Sequence, residues 1–145
     1  KVGAILSDKD QKIKDALSSY GKNLGLTFQI ADDTLDYNSE LKLFGKEIGN
    51  DFYEGKITLP IILLFQKAKL NEREILKEIF FKKERTESDF DYILSLIKKY
   101  EIIKACYQKA QHYINLASNA LSVFKDCEEK NILENLTSFS LSRNF

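Results

Sequence analysis

Between residues 103 and 124 the apolar side chains recur every three or four positions: Ile103, Cys106, Tyr107, Ala110, Tyr113, Ile114, Ala117, Ala120, Leu121 and Phe124. This is the period of an amphipathic helix laid on a core, and it does not suit a strand, whose side chains alternate between faces. One proline and six glycines in 145 residues leave too few turn signals for a many-stranded protein. The expected fold class is all-α, and the length points to one unit spanning residues 1–145. The spacing predicts a long helix from residue 8 or 10 to 35, a loop over 38–57 and a buried helix from 58 to about 68, with Pro60 in its first turn, where no amide hydrogen is needed. Asn71 and Ser88 read as N-caps of two shorter helices, with Glu74 in the capping-box position after Asn71. A last helix is expected from residue 131 to about 141.

Charge and cysteine usage exclude several function classes. Lys plus Arg equals Asp plus Glu at 22 each, so no net field favours nucleic acid or an anionic membrane surface. Cys106 and Cys127 form no CxxC pair and have no histidine beside them, which argues against zinc and fits reduced thiols in a cytoplasm. His112, the single histidine, reads as a partly exposed helical residue. No apolar run reaches the roughly 18 residues of a membrane span, and no signal peptide is visible.

The chemistry concentrates in residues 29–58, QIADDTLDYNSELKLFGKEIGNDFYEGKIT. On a helical wheel Asp32, Asp36 and Asp33 fall at about 0°, 40° and 100°, so the three carboxylates are expected to share one face. Gly21, Gly25 and Gln29 extend that face backwards as a groove of small and polar residues, although the spacing of the two glycines equally suits close helix packing. Carboxylate oxygens with no soft ligand nearby call for magnesium, held by one or two acids together with water and phosphate. An acidic helix end alone is more often a solvated face. The following loop adds Gly45, Gly49 and Gly55 for backbone freedom, Lys46 and Lys56 as point charges for phosphate oxygens, and Asp51 and Glu54 to orient them.

FQIADDTLDY at residues 28–37 and GKEIGNDFYEGKITLP at residues 45–60 resemble the second aspartate-rich motif and the downstream signature of the trans-polyprenyl diphosphate synthases. GAILS and YGKNLG are similar to the helices preceding that motif. The resemblance implies the C-terminal portion of the isoprenoid synthase helical fold. It also implies a prenyltransferase of isoprenoid biosynthesis that condenses isopentenyl diphosphate with an allylic diphosphate. On this reading Asp32, Asp33 and Asp36 hold magnesium, some through water, Lys46 and Lys56 contact the diphosphate, and Asp51 supports the ligands from behind. Gln29 joins the lysines as a catalytic candidate, and Gln29 and Phe28 line the pocket for the prenyl chain.

The departures from the family pattern set a further expectation. There is no earlier DDxxD, no Arg-Arg pair and no intervening Lys-Thr pair; the only arginines are Arg73, Arg85 and Arg143, and the chain starts at Lys1 without any Met. The expectation is a C-terminal half lacking its N-terminal half, supplying one wall of a magnesium-diphosphate site and inactive alone. A natural subunit of a two-chain synthase and a noncatalytic helical module are the alternatives. Apolar surface around Phe28 and residues 61–65, left without the other half, is expected to favour homo-oligomers.

Overall fold

The structure is a computed structural model that describes residues 2–38 and 48–142. Among the described residues the regular structure is helical. The helices are α1 (Val2–Leu6), α2 (Gln11–Leu35), α3 (Asn50–Glu54), α4 (Leu59–Lys67), α5 (Leu70–Phe81), α6 (Glu87–Lys99), α7 (Ile102–Ala120) and α8 (Glu128–Ser142), with a 3₁₀ turn at Leu121–Val123. The residues gather into two compact units, Lys1–Ala31 with Gln108–Phe145, and Asp32–Tyr107. No described helix is long and apolar enough to cross a membrane.

The long second helix begins where the sequence places it. Asp10 accepts the Ile13 amide at 2.8 Å, the N-cap bond that satisfies one of the amides left free in a first turn. Buried Tyr20 and Leu24 pack with Ala117 and Leu121 in the core of the first unit, and Phe124 and Leu133 close around them. The Tyr20 hydroxyl donates to the Leu133 carbonyl at 2.9 Å, so the ring can be buried without leaving its polar tip unpaired. Along α7 the buried positions are Ile102, Cys106, Ala110, Ile114 and Ala117, followed by Leu121; the expected stripe holds from Cys106 onward, but at its start Ile102 is buried in place of the half-buried Ile103. Tyr107 on that stripe is exposed, and so is His112.

The second unit departs from expectation in three places. The predicted loop over 38–57 contains α3, a five-residue helix too short to stand by propensity. It stands because Phe52, fully buried, sits among aromatic rings, with ring centroids at 5.1 Å to Phe90 and 5.8 Å to Phe80. The cap of α5 is Lys69 rather than Asn71, and the reaching-back acid is Glu72, not Glu74. The cap of α6 is Thr86 rather than Ser88: its hydroxyl accepts the Asp89 amide while Asp89 accepts the Thr86 amide. Each helix starts earlier than expected because the acid that closes the box is the one three residues past the true cap. By contrast α4 follows the expected bounds, with Pro60 near its start and Ile61 and Leu64 fully buried. Of the expected apolar surface, only Ile62 on this helix and Phe28 on α2 are clearly exposed.

Glu72 also ties α5 to α6. Its carboxylate accepts from Lys99 at 2.6 Å, from the Tyr100 hydroxyl, and from the Lys69 amide. These donors, the Lys99 ammonium first, lower its pKa from 4.5 to about 2. A carboxyl whose folded pKa is depressed stabilises the fold above its ordinary pKa and loses that contribution as pH falls toward the folded value. Glu72→Gln is therefore expected to be less stable than wild type at pH 7, with the difference shrinking between pH 4.5 and about 2. Urea titrations across that range check it; an equal difference at both ends would show that the charge of Glu72 is not the source.

Candidate functional site

Helix α2 presents the acidic residues differently from the helical wheel. Asp32 is exposed, Asp36 is half-buried, and Asp33, rotated by about 100° from Asp32, is buried at 8 % exposure. The three do not share one solvent face, and no group of three His, Cys, Asp or Glu side chains poised for a metal ion occurs among the described residues. The Asp33 charge is felt at Cys106 and at Tyr37. Burial pushes that thiol up to about 11, the Asp33 charge adds to the rise, and the Thr34 hydroxyl opposes it.

Asp36 makes a connection that the sequence reading missed. Its Oδ1 accepts the amides of Gly49 and Asn50, each at 3.0 Å, and its Oδ2 accepts the Asp51 amide at 2.7 Å. These are the first amides of α3. Gly49 occupies the N-cap position and has no side chain to cap with, so a carboxylate thirteen residues earlier, in the turn that follows α2, performs that task. Gly49 could not be exchanged for a capping residue: its φ is +92°, and a Cβ there would lie 2.8 Å from the Phe90 ring. Next to this clamp the buried Tyr37 phenol is pushed upward by burial first and then by the charges of Asp36 and Asp51.

At the other end of α3 the backbone turns on Gly55, φ +77°, with Gly55 N–H bonded to the Phe52 carbonyl and Lys56 N–H to the Asp51 carbonyl. The turn throws Lys56 outward, its side chain 56 % exposed, with Nζ 2.7 Å from Glu54 and 3.1 Å from Asp51. Those two carboxylates, Glu54 first, hold the Lys56 pKa above its ordinary value, so the ammonium is charged across the neutral range. Asp51 and Glu54 thus both pair with Lys56. Asp51 links both ends of the site, since its amide is held by Asp36 and its carboxylate by Lys56. Phe28 and Gln29 are exposed residues of α2 in the first unit. Lys46 and Gly45 lie outside the described residues.

The donor set suits a hard cation shared with a ligand rather than an all-protein cage. Asp32 is open to solvent, and Asp36 has spent three of its roughly four lone-pair directions on amides, leaving about one. Magnesium characteristically takes one or two carboxylates and completes its shell with water and phosphate oxygens.

The polyprenyl synthetase family model matches residues 1–97, and the chain belongs to that family. It is 31% identical over 145 residues to the geranylgeranyl diphosphate synthase of Methanosarcina mazei, covering all of this chain and 43% of that protein. Heptaprenyl diphosphate synthase component 2 of Bacillus subtilis is 30% identical and is covered over 40% of its length. Among solved structures, a polyprenyl synthase from Roseobacter denitrificans superposes with a TM-score of 0.88 at 30% identity, over 98% of this chain and 46% of that one. One from Caulobacter crescentus, complexed with calcium and isoprenyl diphosphate, has a TM-score of 0.84 at 37% identity, over 99% and 44%. The chain spans less than half the length of these relatives.

The clamp separates structural from ligand-binding acids. Asp36→Ala strips the carboxylate acceptor from the Asn50 and Asp51 amides, while Gly49 N–H keeps the Asp36 backbone carbonyl at 2.9 Å, and is expected to cost on the order of 2 kcal/mol of stability. Asp32→Ala, at an exposed position, is expected to change stability by less than about 0.5 kcal/mol. Denaturant midpoints of the two variants measure this; equal losses would contradict the assignment of Asp36 as the cap of α3.

Proposed function

We propose that this chain supplies the magnesium-diphosphate wall of a polyprenyl diphosphate synthase that joins isopentenyl diphosphate to an allylic diphosphate. The observation that carries the reading is the Asp36 clamp, which fixes the lysine-bearing turn to the helix that carries exposed Asp32. Family membership supports the reaction class, and the Caulobacter relative with calcium and isoprenyl diphosphate supports the ligand class. Asp32, with the remaining lone pair of Asp36 and with Asp33 through intervening water, is the proposed magnesium-holding set.

The roles follow from charge. As the allylic carbon–oxygen bond breaks, negative charge gathers on the departing diphosphate, and a fixed ammonium aimed there is worth more in that state than in the ground state. Lys56 supplies that charge, and Lys46 is proposed to supply a second. Magnesium, when bound, acts as a Lewis acid on the same oxygens. The isopentenyl double bond attacks the allylic cation and forms the new carbon–carbon bond, and the tertiary cation left behind loses a proton to restore a double bond, diphosphate having departed with the electrons of the broken carbon–oxygen bond. Gln29 and Phe28 are assigned, on the resemblance, to the prenyl pocket.

The chain contains neither an earlier DDxxD nor an Arg-Arg pair. Alone it is therefore proposed to bind diphosphate but not to turn over, requiring the opposing half. A second reading is a natural subunit of a two-chain synthase. Co-expression with candidate partner chains and assay of condensation distinguishes the two. Homo-oligomers and a cytoplasmic location belong to the proposal and are read by light scattering and fractionation.

In calorimetric titrations of inorganic diphosphate, magnesium is expected to strengthen binding to the chain. Asp32→Ala should reduce the magnesium-dependent affinity about tenfold or more, and Lys56→Ala should weaken binding even without metal. Asp15→Ala, on a solvated surface, should leave affinity unchanged. Equal, small effects at Asp32, Lys56 and Asp15 would favour a noncatalytic helical module. No condensation activity is expected from the purified chain; robust turnover would overturn the one-wall reading.

A further inference from the structure

Arg85 stands between the C-terminal end of α5 and the cap of α6, and its guanidinium reaches across to α3. Nη2 donates to the Phe80 carbonyl at 2.8 Å and Nη1 to the Tyr53 carbonyl at 3.3 Å. Both carbonyls sit in last turns, where no intrahelical amide is available, so one side chain serves two helix ends, and its positive charge suits the negative pole of each. The guanidinium carbon lies 5.5 Å from the centre of the Phe80 ring. It also covers Gly55 closely: a Cβ built there would meet Nη2 at 2.7 Å and Nη1 at 2.9 Å. Gly55 is the left-handed residue whose turn projects Lys56.

We propose that Arg85 is a positioning residue for the anion-binding ammonium: it locks the Gly55–Lys56 turn against α3 and α5, and so fixes where Lys56 meets the diphosphate. Three observations converge on it: two backbone carbonyls bridged, one aromatic face covered, and one glycine turn walled in. A lysine cannot replace it, because an ammonium is a point charge that cannot span both carbonyls with a planar fork. The inference rests on Lys56 binding diphosphate, and it adds that the lysine's reach is set by a residue 29 positions later that does not touch the ligand.

The test combines Arg85→Lys, Lys56→Ala and the double variant in the full chain. Calorimetry uses inorganic diphosphate with magnesium, circular dichroism verifies helix content, and amide relaxation is measured at Gly55 and Lys56. Arg85→Lys is expected to keep the helix content, raise amide mobility at the turn, and weaken diphosphate affinity about threefold to tenfold. In the Lys56→Ala background the same change is expected to have no further effect, since Arg85 acts only through that ammonium. Additive losses, or a turn as ordered as in wild type, would overturn the proposal. If the turn loosens but Lys56→Ala binds diphosphate as wild type does, the diphosphate reading fails, and Arg85's role for that ligand fails with it. Should Arg85→Lys lose helix content, Arg85→Gln, which keeps a planar donor without the charge, must reproduce the loosened turn and weakened affinity with helix content kept; failure to do so overturns the proposal.

Discussion

The second unit depends on a single carboxylate. The Asp36 carboxylate gathers the amides of the Gly49 cap and of Asn50 and Asp51 in the first turn of α3, and without it the last two of these amides lose their partner in a helix of only five residues. Everything downstream inherits its place from this bond set. Phe52 enters its aromatic surroundings because α3 exists, Asp51 faces Lys56 because its amide is pinned, and the chain leaves α3 through Gly55 in the direction α4 requires. A hydrogen-bonded charge at a helix start is worth more than a neutral cap, which suits a helix with so little propensity of its own.

The same residue illustrates how one acid serves both architecture and chemistry. In the sequence Asp32, Asp33 and Asp36 look equivalent, three ligands in a row. In the structure they divide by environment: Asp32 faces solvent, Asp33 is buried with its charge felt at Cys106, and Asp36 is occupied by backbone amides. A rotation of about 100° between neighbouring residues is enough to carry a side chain from water into the core. The motif is thus partly scaffold, and its spacing reflects the packing of α2 as much as the needs of a cation.

The helices were legible because burial imprints a period on them, and the inward face of α7 and the start of α2 at Asp10 follow from local rules. The family was legible because two short motifs occur in the right order. What escaped was set by tertiary contact. Helix α3 lacks length and propensity and owes its existence to Phe80, Phe90 and Asp36, none of which lies within its own sequence. The caps at Lys69 and Thr86 were misplaced because Asn71 and Ser88 have better cap propensity, while Glu72 and Asp89 are held by Lys99 and Lys82 from outside the local segment. Arg85 could not be singled out at all, since nothing in the run KKERTE shows that its guanidinium covers a glycine thirty residues away.

The ion pairs of Lys56 have a consequence for the binding of anions. The ammonium already has two internal counterions, Glu54 and Asp51, so an incoming anion must compete with carboxylates tethered at high effective concentration. The resting cluster of one ammonium and two carboxylates carries a net negative charge and is largely exposed, so each pair is weak in water. Under the proposed function, these pairs hold the Lys56 ammonium over the turn, and an incoming anion has to displace them before it meets the charge.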